Sequence, residues 1–182
     1  MVTNEKKEML IDKNTKVVIL KGGVSDESKV SESTARSVAN ALFERGLQVL
    51  EITVKEENLP NLATELRGLK PDVIFNALHG GIGENGVIQG LLETLKIPYT
   101  HSGVSASSIA MNKSISKKVF LSHNLPIIKG ILIRNANLCE EIPIKPPFVI
   151  KPNNGGSSVG VSFFNNMDEF NAITGKLDKA TD

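Results

Sequence analysis

Short runs of β-branched and aliphatic residues alternate with longer segments that carry apolar residues at helical spacing, and this alternation restricts the fold more than any other feature. Lys16 to Leu20, KVVIL, is a continuous apolar run stopped by Gly22-Gly23, as expected of a strand buried on both faces of a sheet. In the next segment Ala35, Val38, Ala39, Leu42 and Phe43 recur at the spacing of one helix face. Ser31 is the expected N-cap, with Glu32 in the first turn and Gly46 as the stop after Arg45. LQVLEIT (47–53) follows as a strand, Leu59 to Leu69 as a helix, and DVIFNAL (72–78) as another strand. Val87, Ile88, Leu91, Leu92 and Leu95 repeat the helical spacing before IPYTHS (97–102), a short strand. Such alternation predicts an α/β fold, a parallel sheet flanked by helices on both faces. Ligands of these sheets lie beyond the carboxyl ends of the strands, where Gly22-Gly23, His79-Gly80 and His101-Ser102 fall.

From about Ser102 the pattern changes. Residues 102–124 predict one or two short helices, LPIIKGILIRN (125–135) a strand, and PPFVIKPNNGGSSVGVSFF (146–164) two strands joined by a polar glycine-rich loop. With a further helix from about Met167, this is an α+β unit with antiparallel pairing, unfinished at Asp182. Between Met111 and Lys151 the cations Lys113, Lys117, Lys118, Lys129, Arg134, Lys145 and Lys151 face only Glu140 and Glu141, so the local field is positive. Over the whole chain 21 Lys and Arg balance 20 Asp and Glu, which points to neither nucleic acid nor a membrane surface as partner. The single cysteine, Cys139, allows no internal disulfide or multi-cysteine zinc site, fits a reducing, cytoplasmic compartment, and is expected to be inert. No run approaches the roughly 18 apolar residues of a membrane span. Residues 1–15 are expected to form a flexible or weakly docked extension.

The loop LHGGIGENG (78–86) contains G-x-G-x-x-G, the spacing of a dinucleotide-binding turn. That reading requires an acidic residue about 20 positions on and a place after the first strand. Here there is no Asp or Glu between Glu93 and Glu140, and the loop follows the third strand. No P-loop is present. KPNNGGSSVG (151–160) offers another way to hold phosphate: Lys151 at a strand end, Gly155 and Gly156 permitting positive φ and an anion nest, and the hydroxyls of Ser157 and Ser158. A flexible hairpin turn is the plain alternative. Glu27, between the first strand and the next helix, suits either capture of an ammonium group or the positive end of a helix. His79 suits a general base or hydrogen-bond donor at the same end of the sheet, whereas His123 falls in a polar loop. No His/Cys cluster or G-x-S-x-G elbow occurs, and His101, Ser102 and Ser105 make no credible triad.

Taken together, GGVSDESKVS, NALHGGIGENG, IPYTHSGVSASSIAMNK and FVIKPNNGGSSVG resemble successive blocks of the D-alanine:D-alanine ligases, members of the ATP-grasp superfamily, from about Lys16 onward. The resemblance implies a Rossmann-like pre-ATP-grasp domain over 16–110 and the first part of an ATP-grasp domain over 111–182. It also implies ATP-dependent joining of two D-alanines through an acyl phosphate for peptidoglycan precursor synthesis, by a homodimer when complete. On this likeness Glu27 holds the first D-alanine's ammonium and anchors a relay, Ser157 belongs to that relay and to the loop over the phosphates, and His79 lies beside the first D-alanine. Lys113 and Lys151 contact ATP phosphates, with Ser158 in the same loop. The cofactors implied are ATP and Mg2+, with no metal ligands within these residues; the magnesium ligands, adenine site and remaining catalytic groups of the family fall outside them, so these 182 residues alone are expected to be inactive. Departures from the family include Ser28-Lys29 where Arg-Glu is frequent, and Asn85 where Asp is. Joining of D-alanine to D-lactate or D-serine, or a non-catalytic binding role, are the alternatives.

Overall fold

The computed structural model describes residues 11–25, 27–133, 144–158 and 160–177. The chain divides into two compact units, residues 1–107 and 108–182. Arg134, Cys139, Glu140, Glu141 and residues 1–10 of the expected extension lie outside the described residues.

The first unit is built on three parallel strands, β1 (Lys16–Gly22), β2 (Gln48–Val54) and β3 (Val73–Asn76), in the order β2-β1-β3. Lys16 pairs with Gln48, and Val17 with both Val49 and Val73. Alternate side chains of β1 serve opposite faces. Val17 and Ile19 pack with Ala35 of α1 (Ser28–Glu44) and Ala77, flanked by Val38, Ala39 and Leu42. On the other face, Val18 and Leu20 join Ile52, Val54 and Ile74 against Leu62 and Leu66 of α2 (Leu62–Leu69) and two helical segments farther along the chain. Those segments are α3 (Gly81–Glu84) and α4 (Val87–Leu95), and the latter contributes Ile88 and Leu92. Val18, Ile19 and Leu20 are wholly inaccessible, as the uninterrupted apolar run predicts for a central strand. The expected parallel sheet with helices on both faces is present.

Several local expectations are corrected. α1 begins at Ser28 with Glu27 at the N-cap, not Ser31. Ser31 is fully buried, and its hydroxyl accepts the Gly22 N–H at 2.9 Å, so it serves the end of β1 instead of the helix terminus. Phe43 is 76% exposed; eight residues carry it about 80° past Ala35 around the helix axis, to the edge of the apolar face. Residues 59–61 form a 3-10 turn ahead of α2. IPYTHS is no strand. It makes one parallel bridge, Ile74 to Tyr99, with Ile74 N–H donating to Pro98 O at 2.8 Å and Thr100 N–H to Ile74 O at 3.0 Å. Pro98 has no N–H to extend the ladder, and His101 leaves the extended region at φ +79. Of the expected extension, Asp12 to Thr15 form a turn, and Thr15 is 5% exposed with its carbonyl accepting Gln48 N–H.

The helix α5 (Val104–Met111) leads into the second unit, which holds α6 (Lys113–Ser122), the antiparallel pair β4 (Phe148–Ile150) and β5 (Ser162–Phe164), and α7 (Met167–Leu177). Asn112 caps α6, its side-chain oxygen accepting Ile115 N–H at 3.0 Å. The small core is aromatic: Phe148, Phe164 and Phe170 meet at centroid distances of 5.4 to 5.6 Å. Over 125–133 the expected strand is absent; Lys117 holds Ile128 O at 2.8 Å, and Ile128 is 86% exposed. A strand needs a ladder partner, and none faces this segment among the described residues. His123 closes α6, its Nδ1 3.0 Å from Val119 O. No helix among the described residues is long and apolar enough to cross a membrane.

Tyr99 gives the first unit a pH-dependent contact. Its hydroxyl donates to Glu93 at 2.8 Å, and burial first, then Glu93, pushes its pKa up to about 12 from 10.0. Because the folded value is raised, the neutral phenol favours the fold below pH 10, and that contribution is lost as pH rises from about 10 towards about 12. With one Tyr and no Trp in the chain, phenolate absorbance reports this group alone. The expected midpoint in the folded protein is near 12, moving part of the way back in Glu93→Gln; a midpoint near 10 in the folded wild type would contradict it.

Candidate functional site

At the carboxyl end of β1, Gly22 and Gly23 take φ of +83 and +98, and Gly23 N–H donates to Val54 O at 2.9 Å. This turn delivers Ser25 and Glu27 to the amino end of α1. The Ser25 hydroxyl donates to His79 O at 2.7 Å and accepts Glu27 N–H at 3.3 Å, so one side chain ties the turn after β1 to the loop after β3. Gly80 lies directly under the Glu27 carboxylate. A side-chain carbon there would overlap Glu27 Oε2, and φ of +63 further restricts the position to glycine. The His79 ring stands between α1 and the loop, with Nε2 3.2 Å from Thr34 Oγ1 and Nδ1 3.9 Å from Glu84 Oε1. His79 and Glu84 side chains are 33% and 47% exposed, so the group opens to solvent. Glu27 and His79, singled out separately from the sequence, are thus brought to one place. The arrangement presents a carboxylate and an imidazole that can donate or accept, beside the exposed backbone of Gly81.

Ser25 and Thr34 were not among the sequence-predicted residues. The signal that points to Thr34 is its position three residues after Ser31 and one before Ala35, on the same side of α1. For Ser25 the signal is its place two residues before Glu27, within hydrogen-bond reach of that backbone.

In the second unit the loop between β4 and β5 folds onto the start of α6. Lys113 N–H donates to Asn153 O at 3.0 Å, Ser114 N–H to Asn153 Oδ1 at 2.9 Å, and Lys113 Nζ to Gly155 O at 2.6 Å. The Gly155 N–H is directed at the Met111 sulfur at 3.3 Å. Burial, and then the neighbouring charge of Lys151, lower the Lys113 pKa. Two ammonium groups that repel one another beside a polar turn form a place where an anion is stabilised. Left-handed φ occurs at Gly155 (+120), Ser157 (+48), Ser158 (+61) and Gly160 (+68), so the expectation for Gly156 is corrected: the serines themselves make the bend. A left-handed pair at Ser157 and Ser158 turns the chain before Val161 N–H closes on Ser158 O at 3.3 Å. Lys151, Ser157 and Ser158 are all exposed. The structure therefore brings Lys113 and Lys151 together within the second unit, with Ser157 and Ser158 on the same loop.

Comparison with known proteins bears on both units. The family model for the D-ala D-ala ligase N-terminus matches residues 54–102. The D-alanine–D-alanine ligase of Ruegeria sp. strain TM1040 is 49% identical over 146 residues, 80% of this chain and 46% of that protein. That of Granulibacter bethesdensis is 46% identical over 153 residues, 84% and 49% of the two chains. Among solved structures, the Bacillus anthracis D-alanine–D-alanine ligase superposes with a TM-score of 0.71 at 32% identity, over 90% of this chain and 53% of that one. The chain spans about half the length of the curated relatives it matches. In sequence and in fold, the chain is related to the D-alanine–D-alanine ligases, and what it matches is their amino-terminal part.

Proposed function

We propose that the protein in which these residues occur is an ADP-forming D-alanine–D-alanine ligase of the cytoplasm, supplying D-alanyl-D-alanine for peptidoglycan precursors. The observation that carries this reading is the 49% identity over 146 residues to the Ruegeria ligase. An ATP complex of the Bacillus anthracis ligase, similar at 29% identity and a TM-score of 0.68, supports ATP as the phosphoryl donor. The residues divide the work by chemistry. The Glu27 carboxylate holds the ammonium of the first D-alanine by a charge-assisted hydrogen bond, and His79 lines the same place. Lys113 and Lys151 meet the phosphates, and the loop carrying Ser157 and Ser158 closes over them.

In the first step a carboxylate oxygen of D-alanine attacks the γ-phosphorus of ATP, the bond to the bridging oxygen breaks, and ADP departs, leaving an acyl phosphate. In the second, the amine of another D-alanine attacks the acyl carbon, the carbon–oxygen bond to phosphate breaks, and the amine gives up a proton. Both steps require water to be kept away from the acyl phosphate. The lysine ammoniums stabilise the charge that develops on the transferred group. Magnesium, implied by the family resemblance, would when bound neutralise charge on the transferred phosphoryl group, and its ligands are expected outside these residues. A homodimer is part of the proposal and rests on the family resemblance.

The reading is tested by ADP release and dipeptide formation by the full protein with D-alanine, D-serine and D-lactate as second substrates. D-alanyl-D-alanine is the expected main product, and a protein that makes none of it contradicts the proposal. Lys151→Ala is expected to raise the KM for ATP or lower kcat by an amount corresponding to about 2 to 4 kcal/mol of lost phosphate stabilisation. Wild-type values of both would remove Lys151 from the phosphate site. Glu27→Gln keeps the shape but not the charge, and should weaken first-site D-alanine binding by roughly tenfold or more while leaving ATP affinity near its original value. A lowered melting temperature with unaltered D-alanine affinity would instead make Glu27 a helix-end acid.

A further inference from the structure

The His79 loop is held from beneath by two buried amides that the proposed chemistry does not use. Asn76, at the end of β3, and Gln89, in α4, are 4% and 2% exposed. Both direct their side-chain NH2 groups at one acceptor, the carbonyl of Gly83: Asn76 Nδ2 at 2.9 Å and Gln89 Nε2 at 2.8 Å. That carbonyl needs outside partners because α3 is only Gly81–Glu84. Four residues farther on, the N–H that would ordinarily bond Gly83 O belongs to Val87, and it donates to Asn85 Oδ1 at 3.1 Å instead. Gly83 is also fixed at its α-carbon, since a side chain there would collide with Leu78 Cβ. His79 and Gly80 lie between Leu78 and Gly83, so fixing those two ends fixes the span that carries them.

Asn76 is fully engaged. Its Oδ1 accepts Leu78 N–H at 3.3 Å, its own N–H donates to Thr100 Oγ1 at 3.1 Å, and its carbonyl accepts from His101 Nε2 at 2.9 Å. Gln89 is not: its Oε1 is buried with no hydrogen-bond partner among the described residues. An apolar side chain of the same size would fill that space without an unmet acceptor. Among the described residues, the side-chain hydrogen bond that the amide makes is the one to Gly83 O.

The geometry points to Asn76 and Gln89 as positioning residues that set the place of His79, and with it Gly80 under Glu27, for the amino-acid substrate. This rests on the ligase reading for the identity of that substrate, whereas the positioning itself is measurable without it.

Gln89→Met removes the donor and the unmet acceptor at similar volume. The expected result is an unchanged or higher melting temperature and shifted or broadened His79 ring resonances, which are separable because the chain has only 3 histidines. His123 should be unaffected. In turnover by the full protein, the KM for D-alanine should rise about fivefold, the equivalent of one neutral hydrogen bond, while the KM for ATP stays within about twofold. A purely structural Gln89 would lower the melting temperature and leave His79 and the D-alanine KM alone, which overturns the proposal. Should Gln89→Met fail to fold, hydrogen exchange in the wild type decides: slow exchange of the Gln89 and Asn76 side-chain amide protons supports the clamp, and exchange at solvent rates overturns it. Movement of His79 with an unchanged D-alanine KM overturns the role towards substrate. No D-alanine dependence in the wild type counts against the ligase reading, and the His79 resonances then decide the positioning.

Discussion

Pairing of β1 with β2 on one side and β3 on the other is the interaction on which the first unit depends. Parallel pairing brings the carboxyl ends of β1 and β3 to the same edge, and Ser25, Glu27, His79 and Gly80 all follow directly from those ends. The core residues that hold the register, Val18, Ile19 and Leu20, are wholly buried. Burial of such aliphatic side chains stabilises by about 1.5 to 3 kcal/mol each. The polar site has no comparable source of stability. It is placed by a sheet whose energy comes from elsewhere.

Close approach of main chain to side chain is the second constraint, and it explains which glycines matter. Gly80 leaves room for the Glu27 carboxylate, and Gly83 for Leu78. Ser25 then adds a hydrogen bond between the two loops. In the second unit the same logic takes another form, with a lysine and its own helix-start backbone holding the β4–β5 loop through Asn153 and Gly155. Each unit thus presents a functional group on a loop whose backbone is fixed by short-range contacts within that unit. A rigid frame with polar groups on its connecting loops is the usual division between stability and chemistry.

Legibility in the sequence followed the kind of signal. Strands buried on both faces and helices with a continuous apolar stripe, such as KVVIL and the Ala35 to Leu42 face, are recorded in periodicity and agree with β1 and α1 to within a few residues. Where the outcome turned on tertiary pairing, periodicity had less to say: IPYTHS has strand composition but Pro98 limits it to one bridge, and residues 125–133 have no partner to pair with among the described residues. Ser31 has the composition of an N-cap, yet the acceptor it provides is for Gly22, a contact between elements that local sequence does not encode. Of the site, Glu27, His79, Lys113 and Lys151 were legible as residue types at strand and helix ends. Ser25, Thr34, Asn76 and Gln89 act through contacts between different elements, with His79 for the first two and Gly83 for the others.

The edge formed by the ends of β1 and β3, with Glu27, His79 and Gly80, is proposed to bind the first D-alanine. The most direct measurement of this binding is an amide resonance titration of the protein with D-alanine and, separately, with L-alanine. Saturable shifts at Glu27, Gly80 and Gly81 are expected with D-alanine, weaker ones with L-alanine, and none along α7. Equal responses to both enantiomers, or no response at Glu27 and Gly80 at saturating D-alanine, would contradict it.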